Sequence, residues 1–230
     1  MIKLLFLTFF TLLFSCKKEQ NRNSTAVDFF NIKLENAISK QDSIAYFENA
    51  LVYQVEQNNK KEEFWIYVNE KEKQLLFIPH DDMIRAVISY PDGIYKLFGT
   101  NENGDKIVLK QIVPRILHKN MNEDMLEETN EIKIINQKNI QQKNIICEGF
   151  RATNRNMQSG ETVYATTQIP ISSFQLYGFS QLEGDAKLPI NFQDLDMFRK
   201  EQVITHLERG NCKVELRNYG PNPYEFDLKK

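Results

Sequence analysis

Between positions 51 and 109 the apolar residues come in short runs, and each run is closed by a turn. Phe64, Ile66 and Val68 alternate with Trp65 and Tyr67, the period of two that a strand imposes on its side chains. Leu75-Leu76-Phe77-Ile78, the runs 84–90 and 94–98, and Lys106-Ile107-Val108-Leu109 follow. Pro91-Asp92-Gly93 and Asn103-Gly104 separate the later runs. Proline presets one turn dihedral, glycine tolerates positive φ, and Asn-Gly is a preferred two-residue hairpin pair. Intervals this short leave no room for a crossover helix, so the strands are expected to pair antiparallel, as a meander.

The flanking segments read differently. Val27, Phe30, Leu34, Ala37 and Ile38 fall at helical spacing, which predicts one N-terminal amphipathic helix over 26–40 whose apolar stripe needs a partner surface. Residues 114–144 break the strand rhythm. They hold Met121, Met125 and Leu126 and a short strand candidate at Ile132-Lys133-Ile134, and a stretch this long predicts a short helix with loops, or a flap. Strands resume at Ile145-Ile146-Cys147, Thr162-Val163-Tyr164 and 174–179. Gly210-Asn211 between 202–209 and 212–218 reads as a hairpin, and the β-branched Val203, Ile204 and Thr205 favour it over a helix across 194–208. Residues 224–228 alternate and suggest an edge strand. The expected fold class is mainly β within α+β: an antiparallel sheet with one helix.

Apolar residues make up 41% and charged residues 26% of the 230, close to globular averages. The net charge of −2 has its acids and bases mixed along the chain. That balance argues against nucleic acid as a partner.

The first sixteen residues bear on location. Lys3 precedes an apolar run over 4–14, too short to span a bilayer and of the length of a secretory signal. Leu13-Phe14-Ser15-Cys16 resembles the bacterial lipobox. The resemblance implies cleavage before Cys16, a diacylglycerol on its thiol and a further acyl chain on its new amine. One chain alone binds a membrane reversibly, whereas two or three make a lasting anchor. The expected organisation is a lipoprotein signal over 1–15, a lipidated Cys16 with a polar tether over 16–25, and a single β-rich domain over 26–230. Lys17 behind the cysteine leans towards the outer membrane of a bacterial cell envelope.

Cys147 and Gly149-Phe150, Thr162-Val163-Tyr164-Ala165-Thr166, Ile169-Pro170-Ile171 and Leu188-Pro189 together resemble bacterial envelope proteins of the GLPGLI type. Those look like relatives of the outer-membrane lipoprotein carriers. Tyr164 stands where a Trp is common, and the Gly-Leu-Pro-Gly run itself is absent. The resemblance implies a curved, half-barrel-like sheet with an apolar concave face able to hold an acyl chain or a lipoprotein. Phe64, Trp65 and Tyr67, with Met121 and Met125, are the candidate contacts for such a hydrophobic ligand, since methionine repacks around varied apolar groups. The competing expectation is an accessory or scaffold lipoprotein that binds another envelope protein. In a bland packing alternative, the predicted helix and loops simply cover the sheet.

With Cys16 assigned to lipid, Cys147 and Cys212 remain. An oxidising compartment allows one disulfide between them, and two separate buried thiols are the alternative. His80-Asp81-Asp82 is the densest ionisable cluster, but three consecutive residues beside Pro79 do not converge easily, so it reads as a solvated turn. Asp194 and Asp196 lack the glycine and terminal glutamate of a calcium loop. His118 and His206 are isolated. With no glycine-rich phosphate loop, HExxH or nucleophile elbow, the expectation is a non-enzymatic protein without metal or cofactor. An envelope hydrolase would need His80, Asp81, His118, His206, Asp194 and Asp196 to converge in part.

Overall fold

The computed structural model describes residues 30–33, 43–112, 125–135, 144–153, 161–171, 175–176, 179, 188 and 202–229. Twelve strands among them form one antiparallel sheet that does not close. β2 (Ile44–Gln57), β3 (Lys60–Asn69), β4 (Gln74–Phe77), β5 (Ile84–Ser89), β6 (Ile94–Thr100) and β7 (Lys106–Ile112) pair in sequence order. β8 (Met125–Ile135), β9 (Ile145–Thr153), β10 (Glu161–Thr166), β11 (Val203–Arg209) and β12 (Cys212–Asp227) make a second meander. β12 returns to pair with β2 from Cys212↔Gln57 to Asp227↔Ile44, with two register shifts. This seam joins the two meanders, and it leaves β1 (Phe30–Lys33), paired with β7, and β8 as the edges of the sheet.

The turns follow from their residues. Asn58 and Asn59 both take positive φ, 52° and 63°, the pattern of the two-residue turn whose twist matches that of paired strands. Gly210, at φ 54°, opens the β11–β12 hairpin expected from Gly210-Asn211. The Pro91-Asp92-Gly93 and Asn103-Gly104 hairpins are likewise present between β5 and β6 and between β6 and β7.

Several strands are buried on both faces, which is why their sequences run apolar without alternation. Leu75 and Phe77 belong to a large core cluster with Leu51, Tyr53, Phe64, Ile66, Val163 and Leu207, whereas Leu76 belongs to a smaller one with Phe47, Ile88, Phe98 and Phe226. The smaller cluster is closed by the start of β2 and the end of β12. Phe226 meets Phe98 edge-on at 5.7 Å, and Leu228 N–H donates to Ser43 O at 2.8 Å.

The large cluster is filled by the segment that follows β10. Ile169, Ile171, Leu176, Phe179 and Leu188 are all buried within it. Phe179 lies against Phe77 and Tyr95, with ring centroids 5.8 and 5.6 Å away. Buried polar atoms there are paired: Gln175 Nε2 donates to Lys73 O at 2.8 Å and to Ser89 Oγ at 3.2 Å. Burial of one large side chain contributes about 1.5–3 kcal/mol, so this segment is a substantial part of the core.

Three expectations are corrected. Phe30–Lys33, inside the predicted N-terminal helix, is strand β1, and the rest of 26–40 lies outside the described residues. Phe-Asn-Ile-Lys also alternates apolar and polar, and the outer side of β7 offers it a full set of main-chain partners. Within 114–144, β8 runs from Met125 to Ile135 rather than over three residues. Gln175, Leu176 and Phe179, within the expected strand over 174–179, belong to no strand of the sheet, whereas residues 224–227 end β12 and pair with β2 on one side, since β11 pairs only with Cys212–Glu215.

Candidate functional site

Of the residues read from the sequence as ligand contacts, Phe64, Trp65 and Tyr67 do not converge on one pocket. Phe64 points into the large cluster and stacks on Tyr53 at 5.2 Å. Tyr67, on the opposite face of β3, packs on the smaller cluster and stacks on Tyr224 at 4.4 Å. Trp65 is 40% exposed, and its indole N–H donates to Glu63 Oε1 at 2.9 Å. Met125 opens β8, while Cys16, Met121, His118, Asp194 and Asp196 lie outside the described residues. Asp81 is used by its own turn, where Oδ1 accepts the N–H groups of Met83 and Ile84 at 2.8 and 2.7 Å.

Cys147 and Cys212 are not bridged. Cys147 is fully buried, and its Sγ lies 3.8 Å from Ile145 O. Glu148 pairs with Ala165, whose β11 partner is Ile204, whereas Cys212 pairs with Arg209 at the far end of β11. At about 3.3 Å per residue that is on the order of 15–20 Å of strand, well beyond disulfide reach. Burial pushes the Cys147 thiol up, only partly opposed by Thr205 and Lys133, so it stays protonated and inert.

The structure assembles a different constellation. The pairing register carries Gly149, Tyr164, His206 and Glu215 across β9, β10, β11 and β12 in one row. Gly149 is required there: a Cβ would lie 2.6 Å from Thr129 Oγ1 and 3.1 Å from Tyr164 Cε1. Its bare backbone lets the Tyr164 ring lie across β9 to reach β8. The Tyr164 hydroxyl donates to Glu131, and Lys133 Nζ sits 4.1 Å from its ring centroid. His206 meets the same ring edge-on at 5.8 Å.

Thr205 Oγ1 donates to Tyr164 O at 3.1 Å and lies 3.1 Å from His206 Nδ1. Its single hydrogen is committed to the carbonyl, which assigns the proton of that second contact to Nδ1. Burial, reinforced by the Lys133 charge, brings the His206 pKa down to about 4, against an opposing pull from Glu215. The hydrogen bond to Glu131, then burial, pushes Tyr164 up to about 12. Burial alone would raise Glu215, but Lys213 at 2.9 Å and Arg217 at 2.6 Å outweigh it and hold the carboxyl below its usual range. At neutral pH the cluster is therefore a neutral imidazole, a protonated phenol and paired charges. Through the Tyr164 ring these contacts link β10 and β11 to β8.

Two other surfaces stand out. The tips of the β2–β3 and β11–β12 hairpins flank a polar groove lined by Glu56, Asn58, Asn59, Glu208 and Lys213, whose charges are paired as Lys61–Glu56 and Lys213–Glu208. At the edge of the sheet, Ile132 and Ile134 of β8 are 65% and 57% exposed, and Ile146, opposite Ile134 on β9, is 48% exposed. Among the described residues no group of three or more His, Cys, Asp or Glu is placed to hold a metal ion.

Sequence reasoning set His206 aside as isolated and did not connect Glu131 and Lys133 with Tyr164, which lies 33 residues beyond Glu131. The available signal was Gly149, since a glycine inside a strand marks a close approach. No protein-family model matches the chain, and no curated protein matches it in sequence.

Proposed function

We propose that this chain is a non-enzymatic lipoprotein of the bacterial cell envelope, anchored through acylated Cys16. Its half-barrel-like β domain would serve as a scaffold that binds another envelope protein through the β8 edge. The anchor is supported by the apolar run over 4–14 and by Leu13-Phe14-Ser15-Cys16. Lys17 supports sorting to the outer membrane. The scaffold role rests on one observation: the exposed apolar side chains of β8 and β9 sit at a sheet edge. By contrast, Phe64 and Tyr67 are each stacked against the protein's own rings. An edge strand with apolar side chains is a template for strand addition by a partner.

Metabolic labelling with an alkyne fatty acid tests the anchor. The full chain is expected to take up label and sediment with membranes, and Cys16→Ser is expected to lose both properties. Retained label in Cys16→Ser would remove the lipid from the proposal. Photo-crosslinking from position 134 in intact cells tests the scaffold role, and one stoichiometric protein adduct is expected.

A further inference from the structure

We infer that the partner of β8 is the β8 of a second copy of this chain, paired antiparallel about a two-fold axis at Ile132. The inference rests on the scaffold reading above and names its partner. β8 ends the sheet order, and among the described residues no strand is hydrogen-bonded to its outer side. Its main-chain groups on that side and its exposed isoleucines are what a further strand would cover.

The residues of the edge choose both the occupant and the register. Glu131-Ile132-Lys133 reads acid, apolar, base. Turned antiparallel against itself, it sets Ile132 opposite Ile132 of the second copy, and Glu131 opposite Lys133 on both sides of the axis. An axis at Glu131 or at Lys133 would set like charges directly opposite, which is destabilising. A slip by a single residue would put the isoleucines on the face of the charges. One register is therefore favoured over its neighbours. Both charged groups are already held at this edge by Tyr164, Glu131 through its hydroxyl and Lys133 over its ring.

The ladder is short. The β8–β9 register shifts between Glu128 and Ile132, and Asn130 takes φ 58°, so the regular β8–β9 ladder resumes only at Ile132. A short ladder gives a weak dimer in dilute solution. Two copies tethered in one membrane meet at a much higher effective concentration, where such a contact becomes populated.

Cysteine crosslinking of the full-length chain in the bacterial envelope reads the register. Opposed residues in an antiparallel pair lie about 4.5–5.5 Å apart between Cα atoms, within disulfide reach. The two copies of Ile134 would be offset by four residues, about 13 Å. Under mild oxidation Ile132→Cys is expected to give at least about tenfold more disulfide-linked dimer than Ile134→Cys or the wild-type chain. Lys133→Glu added to Ile132→Cys is expected to abolish the dimer, and the charge-swapped pair Glu131→Lys with Lys133→Glu to restore it. Both isoleucines are exposed, so the cysteine variants are expected to keep the wild-type circular dichroism. Equal crosslinking at both positions, or none in variants that keep that spectrum, overturns the inference. A crosslink to a different protein overturns self-pairing but leaves the scaffold reading standing. No adduct of any kind overturns both.

Discussion

The hydroxyl of Tyr95, on β6, donates to the main-chain oxygen of Gln175 at 2.9 Å in the buried interior. Eighty residues separate the two, and the contact fastens the segment after β10 onto the first meander. Tyr95→Phe leaves that oxygen without its buried donor, and the expected loss is about 1–3 kcal/mol. Phe179→Ala opens a cavity against Phe77 and Tyr95, with an expected loss of about 3–5 kcal/mol. Urea unfolding of both variants checks the ranking. Equal midpoints for wild type and Phe179→Ala would mean that this segment is not part of the core.

Gly149→Ala is expected to destabilise the β8–β9–β10 region by about 1–3 kcal/mol, because the new methyl collides with Thr129 Oγ1 and the Tyr164 ring. Thr129→Ala removes the nearer obstacle. The double variant should therefore recover part of the loss, and the two substitutions should not add. Thermal unfolding of the two single variants and the double variant measures the coupling. Strict additivity would place the strain elsewhere.

Hairpins were legible because their determinants are adjacent residues: Pro91-Asp92-Gly93, Asn103-Gly104 and Gly210-Asn211 each carry their own turn chemistry. The apolar second face of β3 was legible too, from Trp65 and Tyr67. What covers that face was not, because Phe47 and Phe226 reach it only through the β2–β12 seam. β8 was underestimated because Asn130 at positive φ and the register shift beside it interrupt the alternation. Phe30 and Ile32 satisfy a strand as well as a helix, and a long-range partner, β7, decides between them. The Tyr164 cluster was illegible for the same reason. Its members come from β8, β10, β11 and β12, and no spacing along the chain records that they meet.

His206 makes stability depend on pH. Its folded pKa, about 4, lies below the ordinary 6.5. Between those values the unfolded chain binds a proton that the folded chain does not, so stability is full above pH 6.5 and falls as the pH drops towards 4. The shift corresponds to about 1–3 kcal/mol once the partial exposure of the ring is allowed for. His206→Gln is expected to flatten this part of the profile. The measurement is the difference in urea midpoint between pH 7 and pH 4.5 for each protein, since carboxylates titrating in the same window are common to both. Parallel profiles would mean that His206 is protonated equally in both states.

Trp65 is the single tryptophan of the chain, so intrinsic indole fluorescence reports on it alone. Its partial exposure and its hydrogen bond to Glu63 predict red-shifted emission that is readily quenched by acrylamide. Phe64 faces away from it into the large cluster, and Tyr67, on the same face of β3, is taken up by its stack on Tyr224, so neither closes a pocket around the indole. An acyl-chain probe titrated into the purified chain is expected to leave both emission maximum and quenching unchanged. A saturable blue shift on adding the probe would mean that an apolar ligand covers Trp65. That result would return the hydrophobic-ligand reading to first place, with the β8 edge as a secondary surface.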